Sequence, residues 1–526
     1  MKFKFTFISI LTAFFLLFSV CVCTAAPEAA DSLLISAPLQ IISLDPAVVT
    51  DGVSAEVCSN IYETLVKIDP KTKQILPCLA ARWYSNSDYT RWRFVLRKNV
   101  YFSDGTLFDG YSVKFAFNRQ MDPKSRYHFP KYGYFSYYAA IFGGYPGVLL
   151  KVSSTEKYEV EFIFNKSVPD LLEVLSLPQF GIPSPVAVKR YGNAFYTNPA
   201  GTGPYKLASW NYDSRLVLVK NMNYRGVKPY INKVLIQLIS NHDHRLSLMR
   251  KGYSDMMISA ELDDYYKLKN YGSYEAQRYP CAFDVILGMN CRLDPFKNNK
   301  MREAIKYILS REVTDLINLF EPAHKQMNYK NIFAKQKGVT ANYIKAQKKL
   351  VEAGFERGND RLEFVYPRSF PLYASDTDLI ADKIKFLLNQ CGFSNVKLRP
   401  LSWDKFIDAV ALGDYHLALI YTDLKNRDEK LFYLTYFNQL FPAKYNLNKF
   451  HWYSNDLKYI LKDIQDAGST YSEKTLLEEM NYYVYDNTPY VFLNRLNNTI
   501  LFSSKLKNLS FDNNGYLKFN KIYIAR

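Results

Sequence analysis

RLEFVYPRSFPLYASDTDLIADKIKFLLNQCGFSNVKLRPLSWDKFIDAVALGDYHLALIYTD, residues 361–423, alternates short apolar runs with amphipathic ones. Arg361 to Tyr366 reads as a strand. Ser375 stands where a helix cap would stand, and Ile380, Ile384, Leu387, Leu388 and Cys391 then recur three and four apart until Gly392. That spacing puts them on one face of a helix. Val396–Leu398 is a second strand, Ser402 opens a shorter helix through Phe406, Val410 and Leu412 to Gly413, and His416–Tyr421 is a third strand. The order β-α-β-α-β demands a parallel sheet with right-handed crossovers. Ligands of such sheets bind outside the carboxyl ends of the strands. Arg368, two residues past the first strand, and Asp423, two past the third, fall there. They read either as a pair receiving the two ends of a zwitterion or as two solvated loop charges.

A second stretch, NPAGTGPYKLASWNYDS at 198–214, poses a choice between a phosphate cradle and a turn. A P-loop needs a lysine followed by serine or threonine at the end of a longer glycine loop, and a dinucleotide loop needs a third glycine and a helix. Here Pro204 follows Gly203 and has no N–H to offer. Lys206–Trp210 and Leu216–Val219 read as strands joined by a turn at Asn211–Asp213. The turn is the reading adopted.

The first 26 residues are separate in kind. Lys2 and Lys4 precede an apolar run from Phe5 to Val22, and Cys23-Thr24-Ala25 supplies small residues for cleavage. This is the pattern of a secretory signal peptide, with an uncleaved anchor and a lipid attached at Cys21 as alternatives. Val20 stands where a lipid-attachment motif wants a small residue. No later segment is apolar enough over enough residues to cross a membrane, so the exported chain is expected to be soluble. At 526 residues it divides into lobes. A formal charge of +17 is spread over scattered lysines without a helix-turn-helix, zinc-finger or RNP pattern, which argues against nucleic acid. Beyond Cys21 and Cys23 lie Cys58, Cys78, Cys281, Cys291 and Cys391, an odd number whose pairing spacing leaves open. No CxxC occurs.

Elsewhere Leu33–Ser36 reads as a strand, Ala55–Val66 as a helix, Arg93–Leu96 as a strand, Gly110–Arg119 as a helix and Tyr158–Phe164 as a strand. Residues 121–150, rich in Tyr, Phe and Gly, read as a long ordered loop. His242-Asp243-His244 is the one metal-like cluster: on an extended segment both imidazoles would face one way, whereas the plainer reading is a surface loop beside Arg245. Neither Gly-x-Ser-x-Gly nor His-Glu-x-x-His occurs.

Several segments together resemble the family 5 extracellular solute-binding proteins, the peptide- and nickel-binding components of ABC importers. They are Leu44–Ala47 with Asn60–Val66, Pro77–Ala80 with Trp83, Phe94–Val100, Phe102–Thr106, and Val113, Phe115 and Arg119. Asn198–Tyr205 with Asn223-Tyr224 follows, then Pro295-Phe296 and Met301–Ile305 through Arg311-Glu312. They run in order along the chain after its leader. The resemblance implies an α/β two-lobed clam-shell of the type II, three-domain kind, with the ligand between the lobes. Domain I would comprise 27–70, 195–285 and 495–526, domain II 71–194, and domain III 286–494. It implies binding of short peptides in the periplasm and delivery to an inner-membrane ABC permease, by a monomer without catalysis or cofactor. Nickel, haem or another small solute is the alternative within the fold, and a chaperone-like or regulatory role is the alternative from another class.

By the same resemblance Asp423 takes a peptide's ammonium and Tyr421 stands where the family has tryptophan; Asp423 sits one residue early relative to the family pattern. Arg368, with Pro371, matches an arginine facing the peptide carboxylate, and residues 127–145 form the wall of the site.

Overall fold

The computed structural model describes residues 31–38, 41–128, 135–212, 214–260, 262–309, 343–358, 361–368, 374–422, 429–439, 448–467 and 470–525. Ten strands form one sheet. In spatial order they are Val396–Leu401, Leu362–Pro367, Leu417–Thr422, Tyr274–Met289, Tyr490–Ser503, Met256–Ala260, Ser32–Ala37, Lys233–Leu238, Arg215–Lys220 and Tyr205–Asn211. A second sheet of four antiparallel strands runs Ala80–Ser85, Arg91–Leu96, Glu159–Phe164, Leu149–Glu156.

The three strands expected at 361–423 are parallel neighbours: Leu362 pairs with Val396, and Phe364 with Leu417. Their side chains alternate between two cores, because successive residues of a strand point to opposite faces. Leu417, Leu419 and Tyr421 enter a cluster with the helices Asn299–Ile308, Tyr343–Glu352 and Ala374–Gln390. Ala418 and Ile420 enter another with Phe406, Val410, Phe432 and Trp452. Burial on both faces is what the inner strands of a parallel sheet require, and explains why Leu362–Pro367 and Leu417–Thr422 read as apolar runs, whereas Val396–Leu401 lies at the sheet edge and is only partly buried.

Two long strands join the halves of the large sheet. Tyr274–Met289 and Tyr490–Ser503 are antiparallel partners; one end, at Met256–Ile258 against Phe502–Ile500, serves the first half, and the other, at Asp284–Met289 against Thr422–Leu417, serves the second. Their register slips between Arg278 and Ala282 and again between Val285 and Ile286. Such bulges bend and twist a strand pair.

The 198–214 stretch is a turn leading into the strand Tyr205–Asn211, as expected. Four readings change. The helix expected at Ala55–Val66 spans Gly52–Ile61, capped by Asp51 on the Ser54 N–H, and Val66 already lies in a strand. Ser375 lies inside the first turn of Ala374–Gln390 rather than before it. Residues 121–150 contain a helix, Ser136–Phe142, ended by Gly143 at a φ of 83°. Finally, His242 and His244 begin the helix His242–Arg250, capped by the Asn241 side chain on the His244 N–H. Among the described residues no helix is long and apolar enough to cross a membrane.

Candidate functional site

The carboxyl edge of the parallel strands holds Arg368, exposed, its N–H bonded to the Leu401 carbonyl at 2.7 Å. That bond fixes the backbone where the strand ends. Two residues earlier on the same face, Tyr366 is buried, and its hydroxyl is hydrogen-bonded to Asp378, the fifth residue of the following helix. Burial and then the Asp378 carboxylate push the phenol upward, with Asp382 adding to them and Arg368 opposing. Arg368, Asp378 and Asp382 thus all lie within electrostatic reach of the Tyr366 hydroxyl. Neither aspartate was singled out from the sequence, although the spacing of Asp378 and Asp382, one turn apart in the N-terminal half of the helix Ala374–Gln390, is the signal that could have found them.

Tyr421 is buried in the core beneath this edge, with its hydroxyl 3.5 Å from Thr377 Oγ1. It belongs to the face that carries the helix Ala374–Gln390. Asp423 lies outside the described residues.

On the opposite face of the sheet the second lobe arrives. The helix Ser136–Phe142 divides its side chains between two cores. Tyr138 and Phe142, four apart, pack with the four-stranded sheet. Tyr137, Ala139 and Ala140 pack with Phe432, Phe437, Ile286 and Ile420 of the other lobe. Ile141 and Leu177 touch both clusters. The expected aromatic wall at 127–145 is thus, in its described part, a helix at the seam between lobes.

Charges border the seam. Lys430 Nζ lies 3.1 Å from Asp170 Oδ2, in the lobe of the four-stranded sheet, and 2.9 Å from Glu473 Oε2 in its own lobe. Lys166 Nζ bonds the Gln465 carbonyl at 3.2 Å and pairs with the Asp466 carboxylate. Lys430 titrates above the ordinary lysine value: burial alone would lower it, and the two carboxylates together outweigh burial.

The histidine pair does not converge. On a helix, residues two apart point to widely separated directions. His242 Nε2 lies 3.1 Å from the fully buried Asp264 carboxylate, which also receives Lys267 at 3.3 Å. Among the described residues no group of three or more His, Cys, Asp or Glu side chains is arranged to hold a metal ion.

The family model for bacterial extracellular solute-binding proteins, family 5 Middle, matches residues 74–440. A probable D,D-dipeptide-binding periplasmic protein of Escherichia coli strain K12, DdpA, is 23% identical over 501 residues, covering 92% of each chain. The periplasmic binding protein DppA of Helicobacter pylori, solved with the peptide STSA, superposes with a TM-score of 0.82 at 23% identity over 94% of this chain and 98% of that one. NikZ of Campylobacter jejuni, solved with Ni(L-His), superposes with a TM-score of 0.75 at 21% identity over 94% and 100%. The fold is the two-lobed clam-shell of periplasmic binding proteins.

Proposed function

The chain belongs to the family 5 bacterial extracellular solute-binding proteins, and from that premise we propose that it captures short peptides between its lobes and hands them to an ABC permease, without catalysis. The observation that carries this reading is the shared edge of two parallel strands. Leu362–Pro367 and Leu417–Thr422 end side by side, with Arg368 exposed at one end and the chain running on to Asp423 at the other. Arg368 would take a peptide carboxylate and Asp423 its ammonium, each charge-assisted bond contributing roughly 1.5–3 kcal/mol. Tyr421 would act from below, holding the strand end through the core. The peptide-bound likeness to DppA and the dipeptide-binding relative DdpA support a peptide over other solutes.

Residues 1–26 act in this reading as a signal peptide and place the protein outside the cytoplasm, as a monomer, with attachment of lipid at Cys21 as the variant form. The division into domain I (27–70, 195–285, 495–526), domain II (71–194) and domain III (286–494) is part of the proposal. The two long strands would then be the hinge, since both cross between lobes and both slip register there.

Native mass spectrometry of protein purified from cells tests the reading. Release of short peptides on denaturation, lost in Asp423→Ala, is the expected result. Release of a nickel chelate or a haem-like mass replaces it with the alternative ligand class, and peptide binding unchanged by Asp423→Ala points to a chaperone-like role.

A further inference from the structure

Two lysines bridge the lobes in the structure, and neither stands at the carboxyl edge where Arg368 lies. We infer that Lys430 and Lys166 set the protein's ligand affinity by latching the lobes closed, as positioning residues that act through closure rather than through contact with the ligand. This rests on the solute-binding reading above.

The geometry is two-sided. Lys430 keeps Glu473, its partner within the lobe, whether the lobes are apart or together, so its ammonium is held in place before closure. Asp170 arrives only with the other lobe, on the loop before the short helix Leu171–Val174. With Lys430 removed, closure would bring Asp170 toward Glu473 without a cation between them, and like charges so placed repel. Lys166 makes the second crossing in the reverse sense, from the lobe of the four-stranded sheet to the end of the helix Asn455–Asp466. There it meets the last-turn carboxylate Asp466 and the Gln465 carbonyl, at the negative end of the helix dipole. The apolar seam of Tyr137, Ala139 and Ala140 lies alongside and offers no comparable charge selectivity.

Partly exposed pairs of this kind each shift an equilibrium by roughly 1.5- to 5-fold. Apparent affinity is the intrinsic affinity scaled by the fraction of molecules in the binding-competent state. Two independent latches therefore tune affinity by roughly 2- to 25-fold for any ligand the cleft accepts. They also make it sensitive to salt.

Single-molecule energy transfer reads the latch directly, with dyes on unnatural residues at the exposed positions Tyr84 and Tyr459, one in each lobe. In the full-length exported chain, raising NaCl from about 50 to about 500 mM should lower the closed-to-open ratio of the wild type. Lys430→Met and Lys166→Met should each lower it about two- to five-fold at low salt, and the double variant should lose most of the salt response. Glu473→Gln, which breaks only the pair within one lobe, should change the ratio less than Lys430→Met. A ratio unchanged in both lysine variants overturns the inference, as does an equal effect of Glu473→Gln. A parallel titration with a tryptic casein peptide pool, followed by native mass spectrometry, separates the two claims. If no peptide binds while the closed fraction still follows the lysines, the peptide reading falls and the latch stands. If peptides bind equally well to all variants and the ratio is unmoved, the latch falls and the peptide reading stands.

Discussion

Arg119 grips Asp45 with both terminal guanidinium nitrogens, Nη1 to Oδ2 at 2.7 Å and Nη2 to Oδ1 at 2.6 Å, across 74 residues of sequence. Both side chains are buried. The guanidinium also lies over the rings of Phe135 and Phe195, each 5.7 Å from its carbon. Asp45 caps the short helix Pro46–Val48, while Arg119 lies in the last turn of the helix Gly110–Met121, so the pair ties these two helices together. Breaking a buried pair leaves one charge without its counter-ion, at about 3–5 kcal/mol. Arg119→Leu should therefore lower the urea midpoint sharply, and Asp45→Ala with Arg119→Leu should cost less than the two single changes added together. Simple additivity in the double variant would contradict this account.

Two buried thiols should be silent. Burial, then the Glu63 carboxylate beside it, pushes the Cys78 thiol up to about 12, and burial raises Cys58 as well. The Cys78 thiol donates to Glu63 Oε1 at 3.5 Å, and Cys58, Cys78, Cys291 and Cys391 are each free rather than paired. The thiolate is the reactive form. Iodoacetamide at pH 8 should therefore leave Cys58 and Cys78 unmodified in the native protein and label both in urea, as peptide mapping will show. Rapid native labelling of Cys78 would refute the assignment.

His451 should make the lobe of the parallel strands acid-sensitive. Its imidazole is buried and lies 3.1 Å from the Val410 carbonyl through Nε2. Burial lowers its titration below the ordinary value of 6.5, with that hydrogen bond opposing. The unfolded chain thus takes up a proton more readily than the folded one. The contribution is fully present above pH 6.5 and is lost as the pH falls through that value toward the lower folded one. The slope from one such group is at most about 1.4 kcal/mol per pH unit. His416, lowered by burial too, acts in the same direction. Stability measured by urea should fall between pH 7 and pH 5, less steeply in His451→Gln.

Gly201 and Gly203 are small for reasons of space. Neither needs a positive φ; a β-carbon on Gly201 would stand 2.2 Å from the Ile61 carbonyl oxygen, and one on Gly203 2.6 Å from the same atom. The Gly203 N–H bonds that oxygen at 2.8 Å, so the turn is stitched to the end of the helix Gly52–Ile61. Gly201→Ala should cost about 1–3 kcal/mol or more, as overpacking does. An unchanged unfolding midpoint would show that the turn can move aside.

These elements differ in how plainly they can be read. The strand-helix alternation at 361–423 was legible because the helices there carry apolar residues at helical spacing and the strands Leu362–Pro367 and Leu417–Thr422 are buried on both faces, so spacing and composition agree. The opposite holds for Ser136–Phe142. It buries Tyr138 and Phe142 in one lobe and Tyr137 and Ala140 in the other, which leaves no single apolar stripe. His242 and His244 misled because the capping residue before them, Asn241, makes a helix out of a polar run. Of the charges acting on Tyr366, Arg368 was found from the strand end, while Asp378 and Asp382 were not singled out. Lys430 and Asp170 stand 260 residues apart, and no local pattern reports such a pair.

Ala140 offers a test of the seam that leaves the rest of the binding site alone. It is fully buried, and its neighbours Tyr137 and Ala139 join the same cluster as Phe432 and Ile420 in the opposite lobe. An arginine there would project among the described apolar neighbours Phe432, Phe437, Ile286 and Ile420, so the lobes could meet only by burying its charge against them. The cost falls on the closed form, because with the lobes parted the side chain would reach water. Ala140→Arg should therefore shift molecules to the open form and weaken peptide binding at least about ten-fold, equivalent to about 1.4 kcal/mol. The urea midpoint should change much less. Ala140→Gly, which adds no bulk, should bind close to wild type. Equal affinity in Ala140→Arg, measured by calorimetry with a peptide recovered from the purified protein, would mean that the two lobes do not need this seam to hold a ligand.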